Sequence, residues 1–209
     1  MSRSTQENPP DPVAGPAAAI SYAPLVLSEH LEEVLAVQCR ANGFDRFEER
    51  MRLAMLRGRA ESREVAAVGA FSAGKLVGYA YGAPLDPAWH WARHLMEELG
   101  DTPRDRPFVG LGRPYTVLEL HVDPGVRRRG VGSALMAGLC RPVSQRWILL
   151  TRDRSAVPAR RFYASLGFTE LAVSVRHDAY AAMGRLRSSG PEPVQEPKLE
   201  WIPRLCIQG

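Results

Sequence analysis

The stretch Arg127-Arg128-Arg129-Gly130-Val131-Gly132-Ser133 sets three guanidinium groups and two glycines directly ahead of an apolar helical run ending near Leu139. That combination suits a phosphorylated ligand. The first N–H groups of a helix have no partner inside it, and the helix dipole adds positive potential at the same end. Gly130 and Gly132 would let a diphosphate approach the backbone without a Cβ in the way. The arginines add charge that acts at longer range.

Two familiar phosphate loops do not fit. A P-loop carries Lys-Ser/Thr after its last glycine, whereas Ser133-Ala134 follow Gly132. The dinucleotide fingerprint places a third glycine where Leu135 stands, with an acid about 20 residues further on to close a parallel βαβ unit.

The loop needs a strand before it and a helix after it. Tyr115 to Val122 reads as that strand, with Thr116, Leu118, Leu120 and Val122 on one face and Val117, Glu119 and His121 on the other. Asp123-Pro124-Gly125 turns the chain, and Gly130 to Leu139 is the helix. Upstream, Ile20 to Val26 reads as a first strand. Ser28 is the expected N-cap of a helix carrying Leu31, Val34, Leu35 and Gln38, which ends at Asn42-Gly43. A second helix is expected over Phe44 to Arg57, with Phe47, Met51, Leu53, Met55 and Leu56 apolar and Gly58 as its stop.

Val65 to Phe71 and Leu76 to Tyr81 form a hairpin through Ser72-Ala73-Gly74-Lys75. A long connection, Pro84 to Pro114, holds one expected helix at Pro87 to Leu99. Trp147 to Thr151 is a buried strand, and Ala159 to Leu166 a helix ended by Gly167. Leu171 to Arg176 and Ala179 to Arg185 are closing strands. The order predicts an α/β fold with a mixed, mostly antiparallel central sheet flanked by helices. The globular unit spans residues 20–187, between tails at 1–19 and 188–209 that are rich in Pro, Ser and Gly.

Composition narrows the setting. The 209 residues are 45% apolar with formal net charge +4 and pI near 9.2, which favours an anionic ligand without choosing its kind. No run approaches the ~18 apolar residues of a membrane span, and Met1 to Gly15 lacks the pattern of a secretory signal. Cys39, Cys140 and Cys206 are scattered, which points to reduced thiols and a cytoplasmic location. Cys39 and Cys140 read as small buried hydrophobes. Neither a helix-turn-helix nor an RNA-type aromatic motif accompanies the arginines, so nucleic acid is not an expected partner.

The stretch ELHVDPGVRRRGVGSALM, with Arg127-x-x-Gly130-x-Gly132 after its strand, resembles the acetyl-CoA motif of the GNAT (GCN5-related N-acetyltransferase) superfamily. Pro158 to Phe168, containing Tyr163-x-x-x-Gly167-Phe168, resembles that family's C-terminal helix. The resemblance implies the acyl-CoA N-acyltransferase fold and acetyl-CoA as co-substrate, with no metal. His90 and His94 are four apart without the glutamate of the zinc-protease pattern.

Several roles follow from that resemblance. Backbone groups of Leu120, His121 and Val122 would hold the pantetheine arm, with the Val122 N–H as oxyanion donor. Arg127, Arg128, Arg129, Gly130, Val131, Gly132 and Ser133 would bind the diphosphate, and Ala159 and Phe162 would touch the cofactor from the later helix. Ala156 stands where many relatives have Asn, so that polar contact is missing or comes from Ser155 or Asp153. Tyr163 would protonate the leaving thiolate.

Glu119 is the candidate base, its pKa expected to be raised by burial. His121, of a residue type that titrates near neutrality, shares its face. Trp89, His90, Trp91, His94 and Glu97 could line a pocket for an aromatic or cationic acceptor. The implied reaction is transfer to a primary amine, with a small molecule as the acceptor and a homodimer left open. Peptide or protein acetylation is the alternative within this class, and a non-catalytic acyl-CoA sensor the alternative outside it.

Overall fold

The computed structural model describes residues 19–86, 114–145, 147–153, 155–173 and 180–186. The expected helix Pro87 to Leu99 with its Trp and His residues, Cys206, and the 188–209 tail lie outside them. The seven strands among the described residues are β1 Ile20–Pro24, β2 Ala66–Ser72, β3 Lys75–Pro84, β4 Tyr115–Val122, β5 Trp147–Asp153, β6 Thr169–Val173 and β7 Tyr180–Leu186. They form one sheet in the order β1-β2-β3-β4-β5-β7-β6. Every neighbouring pair is antiparallel except β4 and β5, which run parallel. The expected mixed, mostly antiparallel α/β architecture is the observed one.

Among the described residues four helices accompany the sheet: α1 Leu31–Asn42, α2 Arg46–Ala60, α3 Val131–Cys140 and α4 Val157–Ser165. One core lies between the sheet and α3 with α4, where Val131, Leu135, Leu139 and Tyr163 meet Val68, Ala80 and Val117. The other lies beneath α1 and α2, where Val34, Val37 and Leu56 meet Leu76, Tyr79 and Tyr81. No helix among the described residues is long and apolar enough to cross a membrane. Cys140 is buried as expected, while Cys39 is only partly so.

The first two helices depart from expectation at their ends. Ser28 is not a cap: it sits inside a 3-10 turn, Leu27–Glu29, and His30 precedes α1 without its side chain capping the helix N–H groups. α1 does end at Gly43, which adopts φ 71°. α2 starts with a capping box. Asp45 Oδ1 accepts from the Phe47 and Glu48 N–H groups, both at 2.8 Å, and the Glu48 carboxylate accepts from the Asp45 N–H at 3.0 Å.

That box outweighs Gly58, which costs a helix only about 1 kcal/mol, so α2 continues to Ala60. The buried phase of α2 passes through Leu56. Phe47, Met51 and Met55 are exposed (64%, 53% and 48%) rather than facing the core.

Candidate functional site

β4 and β5 pair at only two positions, Tyr115↔Ile148 and Thr116↔Leu149, although β4 runs on to Val122 and β5 to Asp153. Beyond Thr116 the two strands part, leaving a gap in the sheet among the described residues. Backbone groups alternate sides along a strand. The Asp123 N–H donates to the Val77 carbonyl of β3 at 2.8 Å. Val122 and Leu120, out of phase with Asp123, therefore turn their N–H groups into the gap. His121, paired with Tyr79, turns its backbone to β3 instead, so it cannot share the arm-holding role expected of it.

A bulge re-aims the side chains of β4. The register passes from Tyr81↔Glu119 to Gly82↔Val117, leaving Leu118 as the extra residue. Leu118 then packs against the α1 and α2 core while Val117 enters the α3 core. The simple alternation is thus broken: Val117 does not share a face with Glu119 and His121.

The chain leaves β4 through Asp123, whose Oδ1 accepts from the Gly125 N–H at 3.0 Å across the 3-10 turn Pro124–Val126. Arg128 and Gly130 then adopt positive φ, 60° and 78°. Gly130 is the N-cap of α3 and brings no side chain to cap it. The Ala134 N–H makes the bond to the Gly130 carbonyl, 3.0 Å, that opens the helical ladder. The N–H groups of Val131, Gly132 and Ser133 precede that first rung and have no intrahelical acceptor. Val131 is buried in the core and fixes the helix start on the sheet, while Arg128, Arg129, Gly130 and Ser133 are exposed.

The two loop glycines serve different ends. At Gly130 an added Cβ would meet nothing within 4 Å, but φ 78° disfavours any side chain. At Gly132 a Cβ would lie 3.2 Å from Phe162 Cζ. The space that Gly132 leaves is filled by the α4 aromatic ring, so a side chain there would press on helix packing. Arg127 is likewise engaged within the protein. Its Nε donates to the Val122 carbonyl and its Nη2 to the Ala41 carbonyl of α1, each at 3.1 Å.

α4 begins after Ala156, which forms no side-chain cap, and Pro158 occupies its first turn. Ser155 is exposed just ahead of it, and its carbonyl accepts from the Val157 N–H at 2.8 Å. Ala159 and Phe162 pack half-buried against the α3 core. Tyr163 is buried, its ring edge-on to Phe162 (5.2 Å between centroids) and to Phe168 (5.9 Å).

On the opposite face of β4, Glu119 is the hub of a polar cluster. Its Oε2 accepts from Gln38 Nε2 of α1 at 2.8 Å and from the Tyr79 hydroxyl at 3.0 Å. His121 Nε2 lies 3.5 Å from the same oxygen, and Arg52 of α2 lies 3.7 Å from Oε1. Burial pushes the carboxyl up, but hydrogen bonds from His121, Tyr79 and Tyr81 together with the His121 charge outweigh it. The net direction is down, opposite to the raised pKa expected from burial alone.

Burial first, then the neighbouring carboxylate, holds the Tyr79 and Tyr81 hydroxyls far above the phenol range, so they remain donors. Gln38, Tyr79, Tyr81 and Arg52 are the partners sequence reasoning missed. Gln38 alone carried a signal, as a polar residue on the apolar phase of α1.

A sequence profile described as an acetyltransferase (GNAT) domain matches residues 65–170, just over half of the chain. The chain belongs to the GNAT acetyltransferase family. It is an acyltransferase, and solved structures of the family share its fold. A ribosomal-protein alanine N-acetyltransferase from Escherichia coli superposes with a TM-score of 0.59 at 16% identity, over 84% of this chain and 99% of that one. An aminoglycoside N-acetyltransferase in complex with CoA gives 0.58 at 15% identity, over 79% and 97%. The PaiA N-acetyltransferase from Thermoplasma acidophilum, also in complex with coenzyme A, gives 0.55 at 15% identity, over 81% and 99%.

Proposed function

We propose that this GNAT protein transfers an acetyl group from acetyl-CoA to the primary amine of a small molecule by direct attack. The observation that carries the donor half of the reading is the gap between β4 and β5, which opens beside the uncapped start of α3. An extended pantetheine arm can hydrogen-bond to the gap-facing backbone of Leu120 and Val122 as an added strand would. Its diphosphate then meets the N–H groups of Val131, Gly132 and Ser133, with Arg128 and Arg129 adding charge. Ala159 and Phe162 border the cofactor, with Ser155 as the polar contact at the start of α4.

In this reading the Val122 N–H stabilises the oxyanion and Tyr163 protonates the departing thiolate. Glu119 acts as an ionised carboxylate. It takes the amine's proton directly or through a water. The test is acetyl-CoA-dependent thiol release measured across a panel of small amines and peptides. Release driven by small amines supports the proposal, and release driven only by peptides moves the acceptor class. Tight acetyl-CoA binding with no acceptor-dependent release, unaltered by Tyr163→Phe, would favour a sensor.

A further inference from the structure

We propose that Arg127 is a positioning residue that fastens the C-terminal end of α1 to the donor loop, rather than a ligand of the cofactor phosphates. The inference rests on the donor reading above for which ligand the loop binds, and on hydrogen bonds for the rest. The Ala41 carbonyl belongs to the last turn of α1, where carbonyls have no intrahelical partner. Arg127 Nη2 satisfies it at 3.1 Å and brings a positive charge to the negative end of that helix dipole. Arg127 Nε meanwhile occupies the Val122 carbonyl at the mouth of the gap, also at 3.1 Å. Two of its three nitrogens are thereby committed to backbone oxygens on separate elements.

A second tie runs alongside. Arg40, on the same last turn of α1, donates from Nε to the Asp123 carboxylate, and Asp123 in turn accepts the Gly125 N–H. Arg40 Nη2 also reaches the Leu76 carbonyl of β3 at 3.5 Å. α1 carries Gln38, the partner of Glu119, one turn before Arg40 and Ala41. Ordering the donor loop therefore orders the helix that fixes Glu119, and the donor loop is coupled to the Glu119 cluster through a guanidinium fork. A lysine at 127 keeps the charge but cannot span both carbonyls.

The experiment is hydrogen exchange of the full chain, with and without CoA, in the wild type, Arg127→Lys and Arg128→Ala. In the wild type CoA should slow exchange in residues 123–133 and also in residues 38–43. In Arg127→Lys the loop should still be protected and the CoA Kd should stay within about threefold, because the phosphates meet backbone N–H groups rather than residue 127. Residues 38–43 should exchange about tenfold faster and no longer respond to CoA. Arg128→Ala should weaken CoA while leaving residues 38–43 as in the wild type.

Wild-type exchange at residues 38–43 in Arg127→Lys would overturn the assignment. So would Arg127→Ala weakening CoA with Arg127→Lys restoring it, since charge alone would then suffice. If CoA fails to protect residues 123–133 even in the wild type, the donor reading fails separately. The ligand-free exchange of residues 38–43 in the two variants still decides the fastening.

Discussion

The two faces of β4 handle polar groups in opposite ways. Toward β5 and α3 the site is built from backbone: gap-facing N–H groups of Leu120 and Val122 and the uncapped start of α3 behind Gly130. Toward α1 and α2 it is built from side chains, with Gln38, Tyr79, Tyr81, His121 and Arg52 gathered around Glu119. A backbone site tolerates many side chains provided the local conformation holds. A side-chain cluster depends on each member, because a buried donor that loses its acceptor keeps its full desolvation cost.

The largest expected effect lies on the side-chain face. Glu119→Ala strands the Gln38 amide, the two tyrosine hydroxyls and the nearby cations, and should cost about 3 kcal/mol of stability in a urea titration. A loss below about 1 kcal/mol would show that the cluster is not cooperative. Glu119→Gln retains much of the bonding. It should lower turnover with little change in acetyl-CoA affinity, and unchanged turnover would remove Glu119 from the proton path.

Tyr163→Phe comes next, with an expected fall in kcat of about a hundredfold while the ring packing is kept. An unchanged kcat would leave Tyr163 with a packing role alone. On the backbone face, Gly130→Ala should cost about 1 kcal/mol through its positive φ and weaken CoA by less than tenfold. Should Gly130→Ala leave CoA binding and stability both intact, the conformational account of the loop would be wrong.

The finest contrast is in pH. Glu119 has a depressed pKa in the folded state, so the folded chain binds fewer protons than the unfolded one over the acid range. Its contribution is complete above the ordinary carboxylate pKa and is lost as pH falls through the lower folded value. Denaturant titrations from pH 7 downward should show that decline in the wild type and a shallower one in Glu119→Gln. Parallel slopes would mean that other carboxylates account for it.

The same contrast explains what could be read in the sequence. Strand, turn, loop and helix from Tyr115 to Leu139 are consecutive in the chain, and their signals are local: Pro124, Gly125, Gly130 and an apolar run. They lie where expected. The bulge at Leu118 is set by the register against Tyr81 and Gly82 on another strand, so alternation within β4 could not reveal it. The direction of the Glu119 shift depends on Tyr79, 40 residues away on another strand, and the engagement of Arg127 depends on a carbonyl 86 residues away. The Asp45-x-x-Glu48 box was legible, but an expected start at Phe44 passed over it.

An interior strand with one unpaired edge would ordinarily invite a foreign strand to dock and seed aggregation. In β4 the open stretch is bounded at one end by the rungs of Tyr115 and Thr116 with β5, and at the other by Arg127 on the Val122 carbonyl. What is left between them is a short segment, bent by its bulge, that offers a foreign chain too few rungs to propagate. The split therefore leaves a raw edge too short and too bent for another polypeptide to extend the sheet along it.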